Sequence, residues 1–177
     1  MQEKILLRNK IRTLKRQFTQ AQLDELSLSV EKKVFSNQRI INADIILMYY
    51  SLSDEINTHS LIDNLLSQGK KILLPYVTDE ENIEIREYNG PYDLIQGAYG
   101  IMEPTGNSYC HIQDIDVALI PGMSFDKDKN RLGRGKGYYD RFLKKIPNTY
   151  KIGVCFEFQK QDNIPTGKYD VRMDEII

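Results

Sequence analysis

The sequence predicts an α/β fold. We expect a mostly parallel sheet of about five to six strands flanked by helices and entered through two N-terminal helices, with residues 1–177 as a single domain. Three observations carry this. Short apolar runs recur at 43–50, 71–77, 117–120 and 151–156. They do not alternate with polar residues, which suits strands buried on both faces, as in a parallel sheet. Segments with a helical apolar period precede and separate these runs. No internal repeat, low-complexity stretch or linker divides the 177 residues, a length ample for one core.

Leu7, Ile11, Leu14 and Phe18 fall at i, i+4, i+7 and i+11 and predict a first helix. At 100° per residue, Lys4, Arg8, Arg12 and Lys15 form a basic stripe beside that apolar one. Such a stripe is either a solvated face or a basic edge that borders the core and reaches a bound anion. Leu23, Leu26, Val30 and Val34 set the register of a second helix over 22–35. The first strand, 43–50, ends in Ser51-Leu52-Ser53-Asp54-Glu55, before a helix over 58–68 closed by Gly69. Ligands in open α/β sheets gather beyond the carboxyl ends of strands, where Asp54 and Glu55 fall. The competing role is a pairing with the helix dipole.

A buried strand over 71–77 is followed by an acidic turn and a half-exposed strand at Ile83, Ile85 and Tyr88. Residues 89–107 show no period and read as a packed connecting loop. After the strand at 117–120 comes Pro121-Gly122, a polar loop, and then Gly133, Gly135 and Gly137 alternating with Arg134 and Lys136. Tyr138, Tyr139, Phe142 and Leu143 then recur at helical spacing. A strand over 151–156 and a short closing strand over 169–177 complete the chain.

Composition narrows the function classes. Lys plus Arg number 24 against 25 Asp plus Glu, a formal net charge of -1. That balance excludes coating nucleic acid by bulk charge, so any anion site must be local. No apolar run is long enough to span a bilayer, and the first 33 residues are too charged for a signal peptide. Cys110 and Cys155 are far apart and lack metal-like spacing, which makes the cytoplasm the default compartment. His59 and His111 have no partner pattern for a triad or zinc site and read as structural or exposed.

The glycine-rich loop is the local concentration that the balance requires. Glycines allow positive φ and close backbone approach to a ligand. A helix start adds free N–H groups and a positive dipole end. Arg131, Arg134, Lys136 and Arg141 add side-chain cations. These are the parts of a polyphosphate cradle, although the spacing is neither that of a Walker loop nor the dinucleotide fingerprint.

Pro121-Gly122-Met123-Ser124-Phe125-Asp126, followed by Arg131-Leu132-Gly133-Arg134-Gly135-Lys136-Gly137-Tyr138-Tyr139-Asp140-Arg141, closely resembles the signature of 5-formyltetrahydrofolate cyclo-ligases. The resemblance runs along essentially the whole chain. It includes Lys4 and Arg8, Ser53-Asp54-Glu55, Gly100-Ile101-Met102-Glu103-Pro104 and Tyr169-Asp170-Val171-Arg172-Met173-Asp174. This chain departs from the family at Lys129, where glycine is frequent, and at Tyr169, where histidine is frequent.

The resemblance implies an ATP-dependent cyclisation of 5-formyltetrahydrofolate, with magnesium. By that analogy Lys4, Arg8, Arg131, Leu132, Gly133, Arg134, Gly135, Lys136, Gly137, Tyr138 and Tyr139 hold ATP. Arg134 and Lys136 stabilise charge on the transferred phosphoryl group. Tyr50, Glu55, Arg134, Gly135, Lys136, Gly137 and Tyr138 contact the folate, and Asp140 and Asp170 bind the metal. The expected partners are the folate and ATP, without nucleic acid or membrane, and the expected state is a monomer.

Overall fold

The computed structural model describes residues 2–97 and 100–177. Helix α1 (Gln2–Lys15) leads into α2 (Gln20–Ser36) through Thr19. The Thr19 hydroxyl accepts the Gln22 N–H, and the Gln22 side chain accepts the Thr19 N–H. This capping box satisfies donors that a helix start otherwise leaves open, and it begins α2 two residues earlier than the apolar pattern implies. A single turn, α3 (Gln38–Asn42), then delivers β1 (Ile45–Leu47).

Next come α4 (His59–Ser67), β2 (Lys71–Val77) and β3 (Ile83–Tyr88). Gly69, at φ 85°, closes α4 by donating to Leu66 O, as expected for a left-handed helix terminus. Strands β4 (Leu94–Gln96) and β5 (Met102–Pro104) pair as a hairpin within 89–107, where the sequence shows no period. Then follow β6 (Val117–Pro121), β7 (Ser124–Asp126), β8 (Arg131–Leu132), α5 (Tyr138–Leu143), β9 (Tyr150–Val154), β10 (Lys160–Gln161) and β11 (Glu175–Ile176).

Six strands form the main sheet in the order β3-β2-β1-β6-β9-β11. Every neighbour pair is parallel except β2 with β3. Strand order reverses between β1 and β6, and the crevice beyond their carboxyl ends is where such sheets bind ligands. Successive side chains alternate between two cores. Ile46, Ile72, Leu74, Leu119 and Ile152 pack with α2 and α4 on one face. Leu47, Leu73, Ala118 and Ile120 pack with Phe142, Leu143 and Ile146 on the other. The apolar runs are continuous because both faces are covered.

Several boundaries differ from the sequence reading. The strand expected over 43–50 ends as a ladder at Leu47, although Met48 N–H still donates to Leu73 O. Beyond it the backbone pairs with the start of α4 instead: Thr58 donates to Tyr49 O, and Ser51 and Thr58 exchange bonds from N–H to hydroxyl. The polar loop after Pro121 is the β7–β8 hairpin, and β10 joins it in a three-stranded second sheet. Asp126 stabilises the hairpin tip by accepting the N–H groups of Asp128, Asn130 and Ile164. Of the closing segment, only Glu175–Ile176 pairs in the sheet.

A third apolar cluster, Ile11, Met123, Leu132 and Ile164, with Leu7 and Leu14 against it, anchors α1 to the β7–β8 hairpin. This packing brings the basic stripe of α1 to the glycine-rich loop. Among the described residues no helix is long and apolar enough to cross a membrane.

Candidate active site

The loop between β8 and α5 lies at the switch between β1 and β6. Gly135 has φ 118° and Gly137 φ 75°, conformations that side chains resist. Gly137 is the N-terminal cap of α5. A β-carbon there would sit 2.7 Å from the end of the Arg141 side chain, which could shift, so it is the positive φ that favours glycine. Arg141 donates to Lys136 O and Glu81 O, and the Tyr138 hydroxyl donates to Asp79 O. These bonds tie the loop's far end to the β2–β3 turn.

The basic stripe divides along α1. Arg8 Nε donates to Gly133 O at 2.8 Å, Lys4 pairs with Asp170, and Lys15 pairs with Asp54. Only Arg12 follows the solvated reading, donating to its neighbour Asn9 on the surface. The stripe therefore borders the core and reaches the glycine loop.

From the other side, the turn after β1 brings carboxylates to the same loop. Arg134 Nε and Nη2 lie 3.0 and 2.9 Å from Glu55 Oε1, and Nη2 lies 2.5 Å from Asp54 Oδ1. Glu55 Oε2 accepts the Leu52 N–H, which orients the carboxylate. Burial works to raise the Asp54 pKa, but Lys15 and Arg134 together outweigh it and hold the carboxyl below its ordinary value. Tyr50 stacks on His59 with ring centres 3.9 Å apart. Of the residues assigned to substrate from the sequence, Glu55 and Arg134 are thus in direct contact, while Tyr50 packs on His59 at the start of α4. His59 was read as merely structural or exposed. Its contact with Tyr50 depends on how the turn folds, and sequence alone shows no sign of it.

Arg131 and Leu132, assigned to ATP, are buried in β8. Leu132 faces the third apolar cluster. The Arg131 side chain is 3% exposed, donates to Pro121 O and lies 3.0 Å from Asp140 Oδ2. Asp140 is thereby fixed in orientation, and its Oδ1 accepts the Val171 N–H next to Asp170. Tyr139 lies beneath the loop with Arg131 5.5 Å from its ring centre; burial and the Glu55 charge raise its pKa. Tyr169 projects outward between Lys144 and Lys168.

Asp140 and Asp170 fit a magnesium ion by donor chemistry. Both are hard carboxylates beside the glycine loop, and each has about four lone-pair sites. Arg131 and Val171 occupy part of Asp140, and Lys4 and Gly167 part of Asp170. Among the described residues no three His, Cys, Asp or Glu side chains cluster as a metal cage. A magnesium site here therefore needs phosphate and water oxygens as well.

Lys15 was absent from the sequence assignment although it ends the basic stripe. Its place beside the apolar stripe was the available signal; its burial came from the packing of α1.

A family model described as the 5-formyltetrahydrofolate cyclo-ligase family matches residues 1–177. A 5-formyltetrahydrofolate cyclo-ligase from Haemophilus influenzae is 29% identical over 182 residues, covering 99% of this chain and 97% of the relative. The solved structure of Aquifex aeolicus 5,10-methenyltetrahydrofolate synthetase superposes with a TM-score of 0.86 at 31% identity, over 98% of this chain and 88% of that one. The structure of a 5,10-methenyltetrahydrofolate synthetase from Mycoplasma pneumoniae gives a TM-score of 0.81 at 26% identity, over 99% and 98%. With its full length matched, its sheet shared and its signature loop at the switch between β1 and β6, the chain belongs to the 5-formyltetrahydrofolate cyclo-ligase family, a family of ligases.

Proposed function

We propose that this chain cyclises 5-formyltetrahydrofolate to 5,10-methenyltetrahydrofolate, using ATP and magnesium and releasing ADP and phosphate. One observation carries the assignment of residues. Arg134 bridges the glycine loop and the Asp54–Glu55 turn, so a phosphate donor on one side and an acceptor on the other meet at one guanidinium.

A formamide oxygen is a poor leaving group until it becomes a phosphate ester. The γ-phosphoryl group moves from ATP to the formyl oxygen. Nitrogen 10 attacks that carbon and gives up its proton to solvent, and phosphate leaves as the ring closes to the amidinium. Catalysis then rests on positioning and on stabilising phosphoryl charge. Lys4, Arg8 and the loop at 133–137 hold the phosphates; Arg134 and Lys136 face the developing charge. Glu55 presents a carboxylate to the N–H donor edge of the pterin, and Tyr50 contacts the same folate. Asp140 and Asp170 would hold magnesium, which supplies charge neutralisation between phosphate oxygens.

The test is formation of the methenyl chromophore in the near ultraviolet from 5-formyltetrahydrofolate, ATP and magnesium. Its ATP-dependent appearance supports the reading. Its absence with folded protein that binds ATP contradicts it.

A further inference from the structure

Four charges meet where α1, the turn after β1 and the glycine loop converge: Lys15, Asp54, Glu55 and Arg134. Two of them divide one carboxylate. Lys15 Nζ lies 3.1 Å from Asp54 Oδ2, and Arg134 Nη2 lies 2.5 Å from Asp54 Oδ1. The two cations differ in freedom. The Lys15 side chain is 4% exposed and that of Arg134 is 41% exposed. Lys15 sits at the end of α1, next to Leu14 in the packed α1–hairpin cluster, and also donates to the Asp54 carbonyl. Arg134 stands between glycines on a loop. Burial lowers the pKa of Lys15 while the Asp54 charge opposes that shift.

We propose that Lys15 is a positioning residue: the fixed counter-ion of Asp54, whose presence lets Arg134 leave the two carboxylates for the phosphates of ATP. The inference rests on the proposed function. When Arg134 turns to phosphate, Asp54 keeps a partner only if Lys15 is there, and a half-buried carboxylate left without one is costly. Without Lys15, Asp54 holds Arg134 more tightly and ATP must break that pair. Lys15 thus acts through Arg134, and its effect must vanish when Arg134 is absent.

The experiment measures the ATP dissociation constant by titration calorimetry, with magnesium and the full-length protein. Lys15→Met is made in the wild-type and Arg134→Ala backgrounds, with thermal unfolding recorded for each. We expect Lys15→Met to weaken ATP binding about tenfold in the wild-type background and less than about twofold in Arg134→Ala, the signature of coupled sites. Lys15→Arg, which keeps the charge, should stay within about threefold of wild type. Equal weakening in both backgrounds, or none in either, overturns the proposal.

Should Lys15→Met fail to fold, Asp54→Asn decides. It removes one hold on Arg134 and should tighten ATP binding several-fold; unchanged or weaker binding contradicts the inference. Wild-type protein that binds no ATP removes the proposed function and this inference together. ATP binding insensitive to Lys15 removes the inference alone.

Discussion

Arg134 reaches across 79 positions of sequence to place two guanidinium nitrogens on one oxygen of Glu55, at 3.0 and 2.9 Å. The contact joins the loop proposed to hold phosphate to the carboxylate proposed to face the folate. Binding of both substrates then exchanges this internal pair for two external ones, Arg134 to phosphate and Glu55 to the pterin edge. Arg134 and Glu55 should accordingly affect different kinetic constants.

Replacing Arg134 with alanine removes a donor aimed at transferred charge. Turnover should fall about 10²- to 10³-fold, as for lost transition-state donors elsewhere. The Michaelis constant for folate should move less than about threefold. Steady-state kinetics in both substrates checks this, and an equal loss in both constants would argue against a transition-state role.

Glu55→Gln keeps the shape and removes the charge-assisted acceptor. Folate binding should weaken about tenfold or more, while ATP binding should not weaken. Folate titration of the variant decides it; a Michaelis constant for folate that does not change takes Glu55 out of the site.

The main sheet could be read from sequence because its strands are buried on both faces and so are apolar without interruption, as at Ile72, Leu73 and Leu74. The β7–β8 hairpin could not. Asp126 and Asn130 are polar residues that fold the chain by bonding to each other and to nearby N–H groups, and apolar period is blind to such bonds. The site shows the same division. The glycine loop declared itself by composition, and Glu55 by its place after a strand. The burial of Arg131 and Lys15 depends on α1 docking across the hairpin through Ile11, Met123, Leu132 and Ile164, a long-range contact with no local signature.

Lys129 is the one non-glycine residue among those described with positive φ, at 65°, at the position where glycine is frequent in the family. A side chain in that region costs about 1–2 kcal/mol, against the roughly 0.4–1 kcal/mol that a side chain contributes by restricting the unfolded chain. The Lys129 ammonium recovers part of the cost by donating to Asp174 O at 2.6 Å. Lys129→Gly should leave stability unchanged or raise it by up to about 1 kcal/mol. Lys129→Ala keeps the strain and loses the bond, so it should be the less stable variant. Urea unfolding of both ranks them, and the reverse order would contradict the strain argument.

Burial works to raise the Asp170 carboxyl pKa, but the Lys4 ammonium and the Gly167 N–H outweigh it and hold the value below the ordinary 3.8. A carboxylate with a depressed folded-state pKa stabilises the fold above its unfolded value and loses that contribution as pH falls through the folded one. Asp170→Asn should therefore be less stable than wild type near neutral pH. The gap should close as pH drops below about 4. Urea unfolding at pH 7 and pH 3 measures it; a gap that is constant or widens in acid would refute the pairing.

The most direct measurement is near-ultraviolet absorbance of the purified protein with 5-formyltetrahydrofolate, magnesium and ATP, for wild type and for the Arg134→Ala and Lys136→Ala variants. The account predicts an ATP-dependent rise from the methenyl amidinium in wild type, abolished or strongly slowed in both variants. No rise in wild type that is folded and binds ATP would contradict the account, leaving the glycine loop as a phosphate cradle for another phosphoryl transfer.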